Sequence, residues 1–202
     1  MSILNKVERA VKEHVSRSEQ SVAHRMDHLR RVLRNAQIIS ASYAKVDNEV
    51  LSLAVLLHDV EQPHDKKADH VKLSVAAAGD ILEAAGVPQS TRTRVLAAIS
   101  EHSTELIERR QPTSLEARIL FDADKIDGLG PTGIARVFAL FGQMGKPPVE
   151  AVSWYRQKIE KSKQNLQTPE GRRLFHERLA YVESFLDEME QENLLLEEKN
   201  LL

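Results

Sequence analysis

An apolar run, Leu53-Ala54-Val55-Leu56-Leu57, ends directly in His58-Asp59. Such runs ordinarily end in a cap or a turn residue, not in two good metal ligands. A helix this apolar delivers the pair into a partly buried position, and an unpaired carboxylate is costly to bury. A divalent cation would offset that cost, provided other parts of the chain complete its ligand shell.

The rest of the chain limits what that shell can be. There are no cysteines among the 202 residues, so thiolate sites and disulfides are excluded and any metal must be held by His, Asp or Glu. Aromatic residues make up only 4%, so a core must come from Leu, Val, Ile and Ala, which favours helices over a β-sandwich. A formal charge of -2 gives no sign of a chain built to grip a nucleic-acid backbone. No apolar segment approaches the roughly 20 residues needed to span a bilayer. Met1-Ser2-Ile3-Leu4-Asn5-Lys6 turns polar too soon for a signal peptide. The expectation is one all-α domain over residues 1–202, cytoplasmic, away from membranes and nucleic acids.

Helical spacing recurs along the chain. Leu4, Val7, Val11 and Val15 form one stripe, and Met26, Leu29, Val32, Leu33, Ala36 and Ile39 a second that begins beside His28. Asp47 is placed to cap the helix carrying Val50 to Leu57. Gln62 to Asp69 reads as a charged loop, followed by helices over about His70–Ala85 and Thr91–His102 with Gly86 as a stop between them. Leu106 to Thr113 is polar, and Ser114 caps a helix through Ile119, Leu120, Phe121 and Ala123. Gly128 to Gly133 interrupts the chain before a helix over Ile134–Phe141, and Gly145-Lys146-Pro147-Pro148 breaks it again before Val149–Leu166. Thr168-Pro169 starts the last long helix, with a cap residue followed by proline in the first helical position. From about 190 to 202 the tail is acidic and leucine-rich; it can fray, fold back or pair with a second copy as a homodimer.

Two ligands from one helix end require at least two more. His28 starts a different helix, and Asp124 follows Ile119-Leu120-Phe121, with Asp122 and Asp127 close by. His28, His58, Asp59 and Asp124 would make a shell of two nitrogens and two oxygens, suited to Mn, Fe, Co, Ni or Zn better than to Ca. His14 and His176 read as surface or boundary histidines, and His64-Asp65 lacks an apolar lead-in.

In this order the four residues resemble the H…HD…D signature of the HD-domain metal-dependent phosphohydrolases. His28-Leu29-Arg30-Arg31-Val32 is similar to the family's first motif. Asp122-Ala123-Asp124-Lys125-Ile126-Asp127-Gly128-Leu129-Gly130, with Gly133-Ile134-Ala135-Arg136, resembles the DADRLDALGAxGIAR block of one bacterial and eukaryotic subgroup. Ile99-Ser100-Glu101-His102-Ser103 resembles its IxxHS motif, and Thr168-Pro169-Glu170-Gly171-Arg172-Arg173 its C-terminal helix. His58-Asp59-Val60-Glu61-Gln62-Pro63 departs from the HDxxED of the guanosine tetraphosphate hydrolases, and no HHE or GYP motif follows.

The resemblance implies an all-α helical bundle with a metal at its centre. It also implies an enzyme, a hydrolase of a phosphate ester or anhydride. The substrate expected is a small phosphorylated molecule, a nucleotide first of all. Nucleoside triphosphate pyrophosphatase activity is the leading expectation; nucleoside monophosphate phosphatase activity and a non-catalytic metal-dependent nucleotide sensor are the alternatives. One divalent ion is expected (Mn, Co, Ni, Fe, Zn or Mg). Binuclear relatives carry extra histidines between the HD pair and the last Asp, where His70 and His102 lie, but His102 fits the subgroup's own motif without a second metal. Lys125 is a candidate to touch phosphate, or to pair with Asp122 or Asp127. Arg136 could reach phosphate or salt-bridge a helix end. His102 is a candidate to bind phosphate or protonate the leaving oxygen, Glu61 to accept the proton of an attacking water, and Asp127 to support a ligand.

Overall fold

The protein, as a computed structural model, is described over residues 2–17, 26–61 and 69–199, with side chains as far as 192. Among these residues ten helices follow one another: α1 (Ile3–Arg17), α2 (Met26–Ser40), α3 (Asn48–Leu57), α4 (His70–Ala84), α5 (Gln89–Ser100), α6 (Thr104–Ile107), α7 (Leu115–Asp127), α8 (Gly130–Gln143), α9 (Pro148–Asn165) and α10 (Pro169–Lys199). There is no strand among the described residues, and the fold is all-α.

Helix α3 is the axis of the bundle. Asp47 caps it, its carboxylate accepting from Glu49 N at 3.1 Å and Val50 N at 3.2 Å. Val50, Leu51, Leu53, Ala54, Val55, Leu56 and Leu57 are all buried, and in this stretch Ser52 alone is partly exposed. A helix apolar all round can be stable only inside other helices. It packs against α1, α2, α5 and α7, and α2 lies along α7. Each fully buried Leu or Val contributes roughly 1.5–3 kcal/mol relative to exposure. The chain leaves α3 at His58, buried within this packing, and Val60 is buried as well.

The punctuation follows the expected residues. Ser114 Oγ accepts from Ala117 N at 3.1 Å at the start of α7. Thr168 Oγ1 accepts from Gly171 N at 2.9 Å at the start of α10. Gly86, past the end of α4, adopts φ +75°, a left-handed value that glycine reaches without steric cost.

Several details differ from the expectation. Helix α8 begins at Gly130, not Ile134, because Gly130 and Pro131 start the helix instead of interrupting it. Gly133 then lies so close to α7 that a Cβ there would sit 2.4 Å from the Gly128 carbonyl. A one-turn helix, α6, falls partly in the segment read as polar; Ser103 Oγ caps it, accepting from Leu106 N at 3.3 Å. Helix α10 continues through the leucine-rich tail to Lys199. The charged loop 62–68, with His64 and Asp65, lies outside the described residues.

Candidate metal centre

Three helices converge at the end of α3. His28 is the third residue of α2, His58 caps the C-terminus of α3, Asp59 follows it, and Asp124 lies in the last turn of α7. One ligand atom from each of the four falls within 4.8 Å of all the others. His58 Nε2 is 3.5 Å from Asp59 Oδ2 and 3.7 Å from Asp124 Oδ1. His28 Nε2 is 3.7 Å from each of the same two oxygens.

The proton positions follow from the partners behind the rings. His58 Nδ1 lies 2.8 Å from Val55 O, a carbonyl that can only accept, so Nδ1 carries the hydrogen. His28 Nδ1 likewise lies 2.8 Å from Asp127 Oδ2. Both Nε2 atoms therefore present lone pairs to carboxylate oxygens, and acceptor meets acceptor. His58 Nε2 is buried and finds no hydrogen-bond partner among the described residues. The spacings are too long for hydrogen bonds. They are close to the roughly 3.0–3.4 Å between neighbouring ligands around an ion with bonds of about 2.1 Å. The residues thus fit a divalent cation by both chemistry and geometry.

Without a cation, a proton answers the same need. Burial opposes charge on His58, but the carboxylates of Asp59 and Asp124 outweigh it and its pKa is pushed up to about 9. Burial would likewise raise Asp124, yet the Lys125 ammonium and His58 hold it well below the usual carboxylate range. Behind His28, Asp127 is held low against burial by His28, Arg31 and Arg136. Arg31 Nε donates to its Oδ1 at 2.8 Å, and Arg136 Nη1 donates to its Oδ2.

His102 extends the cluster. Its Nδ1 donates to Ile99 O at 2.6 Å, and its Nε2 stands 3.3 Å from Asp59 Oδ1. The two oxygens of Asp59 thus point to different histidines. His70 joins this second group, with ligand atoms of Asp59, His70 and His102 again within 4.8 Å of one another.

A cavity of about 260 Å³ opens beside the cluster, with Asp59, His102, Asp124, Lys125 and Arg136 in its wall. Lys125 Nζ donates to Asp124 Oδ2 at 2.7 Å, not to Asp122 or Asp127, and sits 4.9 Å over the Phe121 ring. Arg136 lines the cavity and is bonded to Asp127 at the end of α7, the helix-end salt bridge of the two roles weighed for it.

Glu61 is the exception. Its carboxylate meets His14 Nε2 at 2.5 Å and lines a separate surface hollow with residues of α1. Ser74 Oγ explains this, since it bonds both Glu61 N and Glu61 O at 3.1 Å and fixes the backbone there. The expectation that Glu61 takes a proton at the metal site thus has no contact with the cluster to support it among the described residues.

Sequence reasoning passed over two cavity residues, Trp154 and Lys158. Both lie on α9, one turn apart, with Ser162 one turn further on and also in the wall. A tryptophan, a lysine and a serine at four-residue spacing were the available signal.

The model of the HD domain family matches residues 25–129, more than half of the chain. The uncharacterized protein YpgQ of Bacillus subtilis is 29% identical over 181 residues, 87% of each chain. Among solved structures, a Lactobacillus plantarum protein aligns over 94% of this chain and 96% of its own at TM-score 0.78 and 24% identity. Bacillus subtilis YpgQ in complex with ADP aligns over 94% and 97% at TM-score 0.72 and 24% identity. A predicted HD superfamily hydrolase from an uncultured Thermotogales bacterium aligns over 94% and 90% at TM-score 0.62 and 29% identity. HD domains bind a divalent metal, and the His/Asp cluster at the end of α3 could hold one. No helix among the described residues is long and apolar enough to cross a membrane. With the family model spanning α2 to α7, where all four clustered residues lie, the chain belongs to the HD-domain family.

Proposed function

We propose that this protein is a metal-dependent phosphohydrolase of nucleotides, and that it splits a nucleoside triphosphate into monophosphate and pyrophosphate. The observation that carries this is the grouping of ligand atoms from His28, His58, Asp59 and Asp124 within 4.8 Å of one another, beside a cavity walled by Lys125 and Arg136. The cluster calls for a cation and the wall for an anion. The ADP bound to YpgQ, a relative of the same fold, supports a nucleotide as the anion.

A divalent ion held by these four residues would supply a nucleophilic hydroxide at neutral pH and polarise a phosphoryl oxygen. The chain's own groups have separate tasks. Asp127 and the Val55 carbonyl fix the two imidazoles with their lone pairs inward. Lys125, beside Asp124, offers a cation to the phosphate as charge spreads over its oxygens. Arg136 adds a second cation, held in place by Asp127. His102 presents Nε2 near Asp59; protonated on both nitrogens, it can hand that proton to the leaving oxygen.

A screen of nucleoside mono-, di- and triphosphates against Mn, Co, Ni, Zn and Mg tests this, with phosphate and pyrophosphate resolved as products. Pyrophosphate release from triphosphates is the expected result. Release of inorganic phosphate from monophosphates would replace this reading by a monophosphatase. Nucleotide binding without turnover under every metal would replace it by a sensor.

A further inference from the structure

We infer that Lys158 receives a second substrate phosphate, distinct from the one attacked, so that the cavity is built for a chain of two or more phosphates. This rests on the reading above that the cavity takes a phosphate at all.

Three cations line the cavity, and two of them are already engaged. Lys125 is bonded to Asp124 and Arg136 to Asp127. Lys158 also lines the wall, yet its ammonium makes no hydrogen bond or salt bridge among the described residues. Other lysines on the protein show the usual alternative: Lys72 meets Asp69 and Lys146 meets Glu150, both on the surface. A lysine half withdrawn from water without a hydrogen-bonded partner loses hydration that only longer-range attraction offsets. The like charge of Lys125 adds to that cost, and burial follows it; together they lower the Lys158 pKa, although Asp124, Glu105 and Asp59 attract it. A polyanion offsets these costs, since it attracts both lysines at once.

Once a divalent cation is on Asp59 and Asp124, those carboxylates no longer offset the lysines. Of the three carboxylates that act most strongly on Lys158, Glu105 is then left. An orthophosphate group held by the cation and Lys125 would still leave Lys158 with Glu105 alone as counter-charge and with no phosphate oxygen. A pyrophosphate or triphosphate chain would supply one. The neighbour one turn earlier on α9, about 6 Å along the axis, is Trp154, which also lines the cavity. Helix α9 therefore offers a cation for the phosphate chain and, next to it, an aromatic face for the uncharged body of the substrate.

The test is calorimetric titration of the manganese-loaded protein with inorganic pyrophosphate and with orthophosphate, metal content being checked afterwards. Lys158→Met should weaken pyrophosphate binding roughly ten- to hundredfold, the worth of one charge-assisted hydrogen bond. It should leave orthophosphate binding and metal content nearly unchanged, and Lys158→Arg should recover part of the loss. Equal weakening for both anions, unchanged pyrophosphate binding, or loss of metal in the Met variant would overturn the inference, as would a wild type that binds no pyrophosphate. Should the Met variant not fold, mass-spectrometric mapping of lysine acetylation on the wild type decides. Pyrophosphate, and not orthophosphate, must slow acetylation of Lys158; equal labelling with either anion overturns the inference. Nucleotide turnover on the same preparations separates the two readings. Pyrophosphate held through Lys158 without any turnover would defeat the hydrolase and leave this inference standing.

Discussion

On one side of α7, Asp122 receives Gln167 N at 2.8 Å, Thr168 N at 2.7 Å and Thr168 Oγ1 at 2.6 Å. Two residues on, Asp124 meets Lys125 with one oxygen while the other stands 3.7 Å from two histidine nitrogens. Both carboxylates belong to the same helix. Asp122 is saturated by donors from the α9–α10 junction and ties the start of α10 to the bundle. Burial pushes its carboxyl up to about 6, with Thr168 and Gln167 pulling the other way. Asp124 faces acceptors and is left wanting a cation. The lesson is that a buried aspartate is read by what its oxygens meet: donors mark an anchor, acceptors mark a metal.

The comparison breaks most visibly at Asp59, the other carboxylate among the acceptors. Asp59→Ala should remove both bound metal and turnover while far-ultraviolet circular dichroism still reports the helices. Metal retained at full stoichiometry in that variant would end the distinction between the two sides. Next in size is the anchor. Asp122→Ala would leave three donors without their acceptor beneath α10 and should cost about 3–5 kcal/mol in denaturant unfolding. Gly171→Ala should act through the same spot, because a Cβ there would sit 2.1 Å from Asp122 Oδ2. In both variants the folded fraction should still bind metal, which an equilibrium dialysis at low denaturant would show.

Asp127 stands between the two types. Its oxygens are saturated like those of Asp122, but one of its partners is His28. Asp127→Asn should weaken metal affinity roughly 10–100-fold by loosening the imidazole. Competition with a fluorescent chelator measures this. An unchanged affinity would make Asp127 an anchor only.

Much of this was legible in the chain, where local chemistry decided it. The caps Asp47, Ser114 and Thr168 stand where sequence placed them, because each side-chain oxygen needs only the amides two or three residues ahead. The burial of His58-Asp59 could be anticipated, since an apolar helix has few ways to end in an acid, and the resemblance to the H…HD…D signature added His28 and Asp124. What stayed hidden depends on distant partners. The Glu61 direction is set by Ser74, thirteen positions away, and by His14 on α1. Asp122 and Asp124 look alike in sequence, and only the arrival of Thr168 tells them apart. Lys158 reads as an ordinary surface lysine until α9 is folded against the cavity.

Lys125 offers the finest test of the contrast. Its ammonium donates to Asp124 at 2.7 Å, so Asp124 has one donor, where Asp122 has three. If that single bond anchors Asp124 as Thr168 anchors Asp122, then Lys125→Ala disturbs the ligand and metal affinity falls with it. If Asp124 is held chiefly by the cation, the lysine is available to substrate, and its loss is felt there. The second outcome is expected, because the ammonium also sits at the cavity wall over Phe121, where a phosphate oxygen can share it. Lys125→Ala should keep its metal and lose about tenfold in kcat/KM, near the lower end for a hydrogen bond to a charged group. Steady-state kinetics beside metal analysis distinguish the two, and a variant that loses metal in step with activity would place Lys125 with the anchors.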